Sequence, residues 1–541
     1  MTEPRQEKPE AHLINNIPQK TWISLTCLWL VLWACVTISR PLLPIDETRC
    51  VSVAWEMWQS GNLLVPHLNG MPYSHKPPFL FWMILAGWKI FGVNEWWPRL
   101  VPPLFGLGCL FLTSLFACRL WPDKRDTAFF ASHILLGSTL WTLFTTVVMY
   151  DMLIVFFVLI SLLCLYNFAR GKGFILLLPI GISLGLGILS KGPVILLSFI
   201  SAAVFAPWWE ESHLSGRRIK FYGGVVFSLF LAAAVSLSWA LSAAQSGGSE
   251  YAKAILWSQT ASRVVQSFAH QQPWWWYFIV LPALLFPWTA NPAFWRNILK
   301  LDLRDSGIRF CISWLVPTLI AFSLISGKQV YYLLPLFPAF ALLSARILTA
   351  DQCPRRFDLL PLAFFIMILG ILMIVIPTIQ LGIAFPSWVH RISPVFGIIT
   401  VVASIATSLL TVRKIKNIVW FNTLSIVFLI VIIHIGVFSQ ARPYYDLRPI
   451  ALFLKSIENK GFPVAHVDTY YDQFHFLGRL DRPFEVIDDL GRASAWLKDH
   501  PQGRIVVYMR KWPKPISPEF KVEYSRPYMG KHLVVLRSSL I

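Results

Sequence analysis

The stretch TWISLTCLWLVLWACVTISRPLLPIDETR, residues 21–49, decides how the chain is read. Up to Ser39 it carries no charge and has about the length that the ~30 Å hydrocarbon core of a bilayer asks of a helix. Arg40 and Pro41 end the run without the small-residue cleavage site of a secretory leader, so it is expected to stay as a first membrane span. Immediately beyond, Asp46, Glu47 and Arg49 place ionisable groups beside the lipid surface, where they require water or partners.

The same alternation of apolar run and polar punctuation continues for most of the chain. Further span candidates are 78–93, 98–118, 127–146, 149–168, 174–189, 191–208, 221–243, 274–293, 309–325, 331–349, 358–380, 394–411 and 418–438. Composition agrees: 56% of the 541 residues are hydrophobic and only 14% are charged, against about 25% charged in an ordinary soluble domain. A soluble globular enzyme and a disordered chain are both excluded. The net charge of +19 and the 25 Trp fit basic cytoplasmic loops and interfacial aromatic belts rather than nucleic acid. Six short basic loops, 119–126, 170–172, 217–220, 296–309, 346–356 and 413–416, set the orientation by the positive-inside rule. Outside then lie residues 41–77, the turns at Asp151 and Lys191, residues 244–273 and 326–330, and everything after 438. Candidates 78–93 and 98–118 cannot both span under that assignment, so one is expected to be re-entrant or interfacial, leaving about thirteen transmembrane helices.

Residues 1–20 read as a cytoplasmic N-terminal tail, 21–438 as the transmembrane region with 41–77 as its first outer loop, and 439–541 as a small outer α/β domain. In the last segment the apolar runs shorten to strand length at Val464–Val467, Phe484–Ile487, Arg504–Met509, Phe520–Tyr524 and His532–Leu536, and helical spacing appears over 449–459 and 490–498. The eight Cys fall mostly inside apolar runs, which implies neither a disulfide framework nor a Cys-based metal site.

Chemistry-bearing residues gather on the outer side. Asp46, Glu47 and Arg49 open the first loop, and Tyr73, His75 and Lys76 close it ahead of Pro77-Pro78, which stiffen the entry to the next helix. Asp151 begins an otherwise apolar helix. Lys191, Lys328, Tyr331 and Tyr332 interrupt apolar runs on the same side, and Arg263 and His270 precede a Trp-rich belt. A lysine so placed either holds a phosphate or snorkels to the interface. His75 and His270 lack ligand spacing with other His or carboxylates, so a divalent metal is only weakly signalled.

In order along the chain, Asp46-Glu47-Thr48-Arg49, Tyr73 with Lys76-Pro77-Pro78, Tyr150-Asp151-Met152-Leu153 and Ser190-Lys191-Gly192-Pro193 form a recurring set with Pro273-Trp274-Trp275-Trp276-Tyr277, Pro287-Trp288, and Lys328 with Tyr331-Tyr332 and Pro335. The set resembles the bacterial lipid A aminoarabinose transferases and, more widely, the membrane glycosyltransferases related to protein O-mannosyltransferases that draw sugars from dolichyl or polyprenyl phosphate. The likeness runs from residue 20 to about 345 and departs at Cys50 and His75, where those transferases carry a Tyr and an acidic residue. It implies an α-helical polytopic membrane protein of the GT-C fold, with inverting transfer of a sugar from a polyprenyl phosphate such as undecaprenyl phosphate and no required cofactor. The acceptor would be lipid A or another envelope glycan or protein, reached from the periplasmic face of the bacterial inner membrane.

By that resemblance Asp46, Asp151 and Glu47 are the catalytic carboxylates, with replacement of Asp46 expected to cost more activity than replacement of Glu47. Tyr73, Lys76, Arg263, Lys328 and Tyr332 would bind the donor phosphate. Arg49, His75, Lys191, His270 and Tyr331 would line the same cavity. A protein O-glycosyltransferase stands as the alternative within the fold. A transporter or flippase is the alternative outside it, but its charges would sit near the midplane of broken helices in repeated halves, whereas these lie at helix ends and no repeat is visible.

Overall fold

The computed structural model describes residues 19–256, 271–350, 354–379, 386–510 and 518–539. The first span is α1 (Gln19–Ser39), followed by α2 (Asp46–Ser60), a two-stranded ribbon of β1 (His67–Leu68) and β2 (Met71–Pro72), and α3 (Phe79–Phe91). Next come α4 (Val101–Leu120), the bent pair α5 (Asp126–Leu136) and α6 (Thr139–Thr145), α7 (Asp151–Ala169) and α8 (Leu177–Lys191). Helix α7 is the most buried of the long apolar helices and packs against both α4 and α8, so its first residue, Asp151, stands at the N-terminal end of the bundle's central post.

Among the described residues nine helices are long and apolar enough to cross a membrane, or ten if α5 and α6, bent by 69°, form one crossing. The expected count of about thirteen is therefore not confirmed among the described residues. Segments 79–91, 195–204 and 394–409 are shorter apolar helices, and the candidate 274–293 is interrupted around Pro287, leaving a helix only over Trp276–Leu284. With thirteen residues at 1.5 Å each, α3 rises only about 20 Å. That is short of the hydrocarbon core, which identifies it as the member of the conflicting pair that does not span. The expected outer loop 244–273 is instead helical as far as Leu256. The molecule is a multi-pass membrane protein.

The helical run from Ile415 leads into the C-terminal domain, which begins with the helix Arg448–Asn459. Its sheet comprises β3 (Val464–Val467), β4 (Glu485–Ile487), β5 (Arg504–Met509), β6 (Phe520–Tyr528) and β7 (Lys531–Ser538), in the order β4-β3-β5-β7-β6. The first three strands are parallel, and β7 runs antiparallel to β5 and β6. Alternation along the strands divides the core in two. Ile450, Leu454 and Ile457 cover one face with Val506 and Leu533, and Ala493, Trp496 and Leu497 cover the other with Ile505 and Val534. The five strand-length runs and both helical runs of the sequence correspond to these strands, to the helix Arg448–Asn459 and to a second helix, Leu490–Asp499.

This domain sits on α2 and on the loop after it. Ser52 Oγ donates to the Asp472 carbonyl at 2.6 Å and accepts from the Phe476 amide at 3.2 Å. Trp55 Nε1 donates to the Leu480 carbonyl at 2.9 Å, Asn69 exchanges two hydrogen bonds with the Phe484 backbone, and Trp88 of α3 stacks on Phe476.

Candidate active site

Asp46 begins α2, and the residue before it is held in an unusual conformation. Ile45 has φ 73° and ψ −63°, the rare and strained form of the γ-turn, in a region that a β-branched residue ordinarily avoids. Such strain persists where surrounding structure over-determines it. Here the surrounding structure is Glu47. Its fully buried carboxylate takes Arg40 at 2.5 Å and 3.1 Å, the Leu43 amide at 2.6 Å and the Val148 amide at 2.7 Å. Arg40 also donates to the Thr146 carbonyl at 2.9 Å. The clamp therefore ties the start of the first loop to residues 146–148, just ahead of Tyr150-Asp151, and fixes the Asp46 helix relative to the Asp151 helix. Burial pushes the Glu47 carboxyl up, but the charge and hydrogen bonds of Arg40 outweigh it and hold the group below its ordinary value.

Glu47, grouped with the catalytic carboxylates from sequence, is therefore a buried clamp: both of its oxygens are occupied. Asp46 differs sharply, since its side chain is 61% exposed and pairs with Arg49 at 2.7 Å. Arg49 also lies 5.7 Å above the ring of Tyr471 from the C-terminal domain. The next residue, Cys50, is buried, donates its thiol to Tyr150 Oη at 3.4 Å, and is pushed up to about 11 chiefly by burial. Lys76 stands 5.4 Å over the Tyr150 ring, and Tyr73 packs its ring against His75 at 5.2 Å.

On the other flank, Asp151 is 2% exposed and is paired to Lys191 from the last turn of α8. Lys191 in turn lies 4.9 Å from the Tyr331 ring centroid and 4.7 Å from that of Tyr332. The side chain that from sequence could equally have snorkelled to the interface thus turns inward. The second carboxylate oxygen of Asp151 is buried without a hydrogen-bond partner among the described residues. Tyr331 lies within electrostatic reach of both Asp151 and Asp46, which joins the two flanks into one constellation. Asp46, Arg49, Tyr73, Lys76, Asp151, Lys191, Tyr331 and Tyr332 thereby surround one region at the outer ends of α2 and α7.

Lys328 is placed elsewhere. It is buried, with its ammonium on the carbonyls of Gln272 at 2.9 Å and Ile325 at 2.5 Å. Tyr277 Oη, from the aromatic belt, donates to the Gln329 carbonyl at 3.0 Å. Both contacts secure the loop before Tyr331-Tyr332. Arg263 and His270 lie outside the described residues. Among the described residues no cluster of three or more His, Cys, Asp or Glu gathers to hold a metal ion.

Arg40 and the C-terminal Tyr471 are contributors that sequence reasoning missed, and Tyr150, quoted there only as the neighbour of Asp151, was given no role of its own. Arg40 offered one signal: an arginine on the outer end of a span runs against the positive-inside rule and so calls for a partner.

The architecture of long apolar helices, a first-loop helix and a sheet domain docked above it is the GT-C fold of membrane glycosyltransferases. It matches ArnT from Cupriavidus metallidurans, solved bound to undecaprenyl phosphate, with a TM-score of 0.76 at 17% identity, covering 96% of this chain and 99% of that one. Residues 75–239 match the family described as dolichyl-phosphate-mannose-protein mannosyltransferase.

At the level of sequence the chain resembles the aminoarabinose transferases. It is 31% identical over 316 residues to undecaprenyl phosphate-alpha-4-amino-4-deoxy-L-arabinose arabinosyl transferase 2 of Pseudomonas fluorescens, covering 57% of this chain and 55% of the relative. It is 29% identical over 344 residues to the corresponding transferase of Pseudomonas aeruginosa strain UCBPP-PA14, covering 61% and 60%. The chain thus spans a little over half the length of the curated relatives it matches.

Proposed function

We propose that this protein is an inverting glycosyltransferase of the bacterial inner membrane that moves a sugar from polyprenyl phosphate to an envelope acceptor, with lipid A as the favoured acceptor. Its site and C-terminal domain face the periplasm. The observation that carries this reading is the meeting of Asp46 and Asp151 with Lys76, Lys191, Tyr331 and Tyr332 at the N-terminal ends of α2 and α7, a pairing of carboxylates and cations suited to an anionic leaving group.

An acceptor oxygen attacks the anomeric carbon and the carbon–oxygen bond to phosphate breaks. The electron pair leaves with the polyprenyl phosphate. Lys76 meets the charge that collects there, and Tyr73 and Tyr332 orient the phosphate. Lys191 pairs with Asp151 beside the rings of Tyr331 and Tyr332. If the acceptor is a hydroxyl, Asp46 takes its proton; if it is a lipid A phosphate, already anionic, Asp46 with Arg49 positions it. Arg263 enters only through the resemblance, and Lys328 acts through the loop it holds. The reaction so written calls for no cofactor.

The match to a protein mannosyltransferase family favours one second reading, a protein acceptor. Mass spectrometry of lipid A and glycoproteins from a deletion strain tests both. Loss of a lipid A sugar supports the first, loss of a protein glycan the second, and no change in either removes the reading.

A further inference from the structure

Beside the Glu47 clamp, on its other side, lies a cavity of about 280 Å³ lined by four arginines, Arg40, Arg99, Arg442 and Arg448, against two carboxylates, Glu95 and Asp446. That is far more than the roughly 10–15 Å³ that admits one water. Its walls come from the outer end of α1, the start of α4 and the junction between the last membrane helix and the C-terminal domain. Arg99 is 6% exposed and caps the end of α1, donating to the carbonyls of Thr37, Val36 and Arg40 at 2.9–3.0 Å. Burial, and then the neighbouring Arg40 charge, pulls Arg99 down to about 10 against the opposing pull of Glu47 and Glu95. At the rim, Arg442 and Arg448 are about half exposed. Arg442 spends one donor on the Ile38 carbonyl at 3.3 Å and lies 3.9 Å from Asp446, while Glu95 pairs with Arg448 and lies 3.9 Å from Arg99.

We infer that this cavity is a binding site for the phosphate of an anionic lipid headgroup, separate from the site at Lys76. Two half-exposed guanidiniums over a buried positive floor match the forked recognition of phosphate oxygens by arginine. A lipid is favoured over a free anion by position. The walls are the ends of membrane helices, and Trp96, 40% exposed on the lining, is the residue type that settles at the headgroup level. Arg40 belongs to both places, since the guanidinium that lines the cavity also grips Glu47 beside Asp46.

The test uses the full chain in neutral detergent, titrated with phosphatidylglycerol or with inorganic phosphate and read by native mass spectrometry. Wild type should retain phosphatidylglycerol, and Arg442→Gln with Arg448→Gln should weaken it by about tenfold or more, the loss expected for charge-assisted hydrogen bonds. Glu95→Gln removes the carboxylate that competes for Arg448 and should tighten binding. This second variant moves affinity in the direction that misfolding does not. Lys76→Met should leave phosphatidylglycerol affinity unchanged. Equal affinity across wild type, the double variant and Glu95→Gln would overturn the site. Inorganic phosphate competing as well as the lipid would overturn the lipid assignment.

Discussion

Glu47→Gln and Asp46→Asn, adjacent in sequence and each a loss of one charge, should part company in the test tube. Glu47 is 0% exposed and Arg40 3%, so Glu47→Gln leaves a buried guanidinium facing a neutral amide. Breaking a buried ion pair from one side costs about 3–5 kcal/mol, and an amide cannot accept all four donors that the carboxylate now takes. The Asp46–Arg49 pair is 61% exposed on the acid side, where such pairs contribute about 0–1 kcal/mol.

Thermal unfolding in detergent should therefore fall by several degrees for Glu47→Gln and barely move for Asp46→Asn, while Asp46→Asn abolishes sugar transfer. Hydrogen exchange should show the amides of residues 43–48 and 146–150 opening together in Glu47→Gln. Replacing both partners with apolar residues, Arg40→Met with Glu47→Leu, should regain part of the lost stability. With its pKa lowered in the fold, Glu47 contributes stability in full above the ordinary carboxylate value, lost as pH falls through the depressed one. The clamp reasoning is refuted if Glu47→Gln unfolds at the wild-type temperature with unchanged exchange, and the catalytic role of Asp46 fails if its Asn variant turns over within a few-fold of wild type.

Three further outcomes are expected. Lys76→Met should weaken polyprenyl-phosphate binding by about ten- to a hundredfold and Lys76→Arg by less, measured by titration of solubilised protein; three equal affinities would exclude a phosphate contact. Single cysteines at His75 and Asp488 should react with a membrane-impermeant reagent from the periplasm and those at Lys124 and Lys414 only after lysis, and a protected Asp488 position would reverse the orientation. The grip of the C-terminal domain on α2 should loosen on the alkaline side. Burial and the facing Asp472 push Glu56 up to about 8, and His475, although lowered by burial, is raised on balance by Asp472, so both contributions are full below the ordinary values and fade as pH rises through the elevated ones. Glu56→Gln should flatten that alkaline limb in a pH series of exchange at α2, and a flat wild-type series would remove the coupling.

How far the sequence reached depended on the range of the interaction involved. Apolar length and period are local properties, and the strands and helices of the C-terminal domain could be read almost residue by residue because alternation and helical spacing directly report which side is buried. Span counting was limited by what ends a helix. At α3 the parity of the basic loops already required one of two runs not to span, and the short helix decides which, while at 274–293 the break at Pro287 divides a run whose composition alone reads as a span.

The site divided in the same way. Asp46, Lys76 and Asp151 were legible as candidates because a charge at the end of an apolar run is improbable without a purpose. The surroundings of neighbours were not legible, since Asp46 and Glu47 are chemically near-identical in sequence and come to differ in burial and pairing only through partners far away. Arg40 reaches Glu47 across the Leu43 turn, and the Val148 amide arrives from a hundred residues downstream. Lys191 and Lys328 were likewise indistinguishable as lysines in glycine-flanked breaks, yet one meets a buried carboxylate and two tyrosine rings while the other is spent on backbone carbonyls. A carboxylate fully engaged by four donors has no capacity left to take a proton or meet a substrate, so Glu47 and any carboxylate that does either must be separate groups. The strained turn at Ile45 is what sends two adjacent side chains apart, Glu47 into the buried clamp and Asp46 to its exposed pair with Arg49.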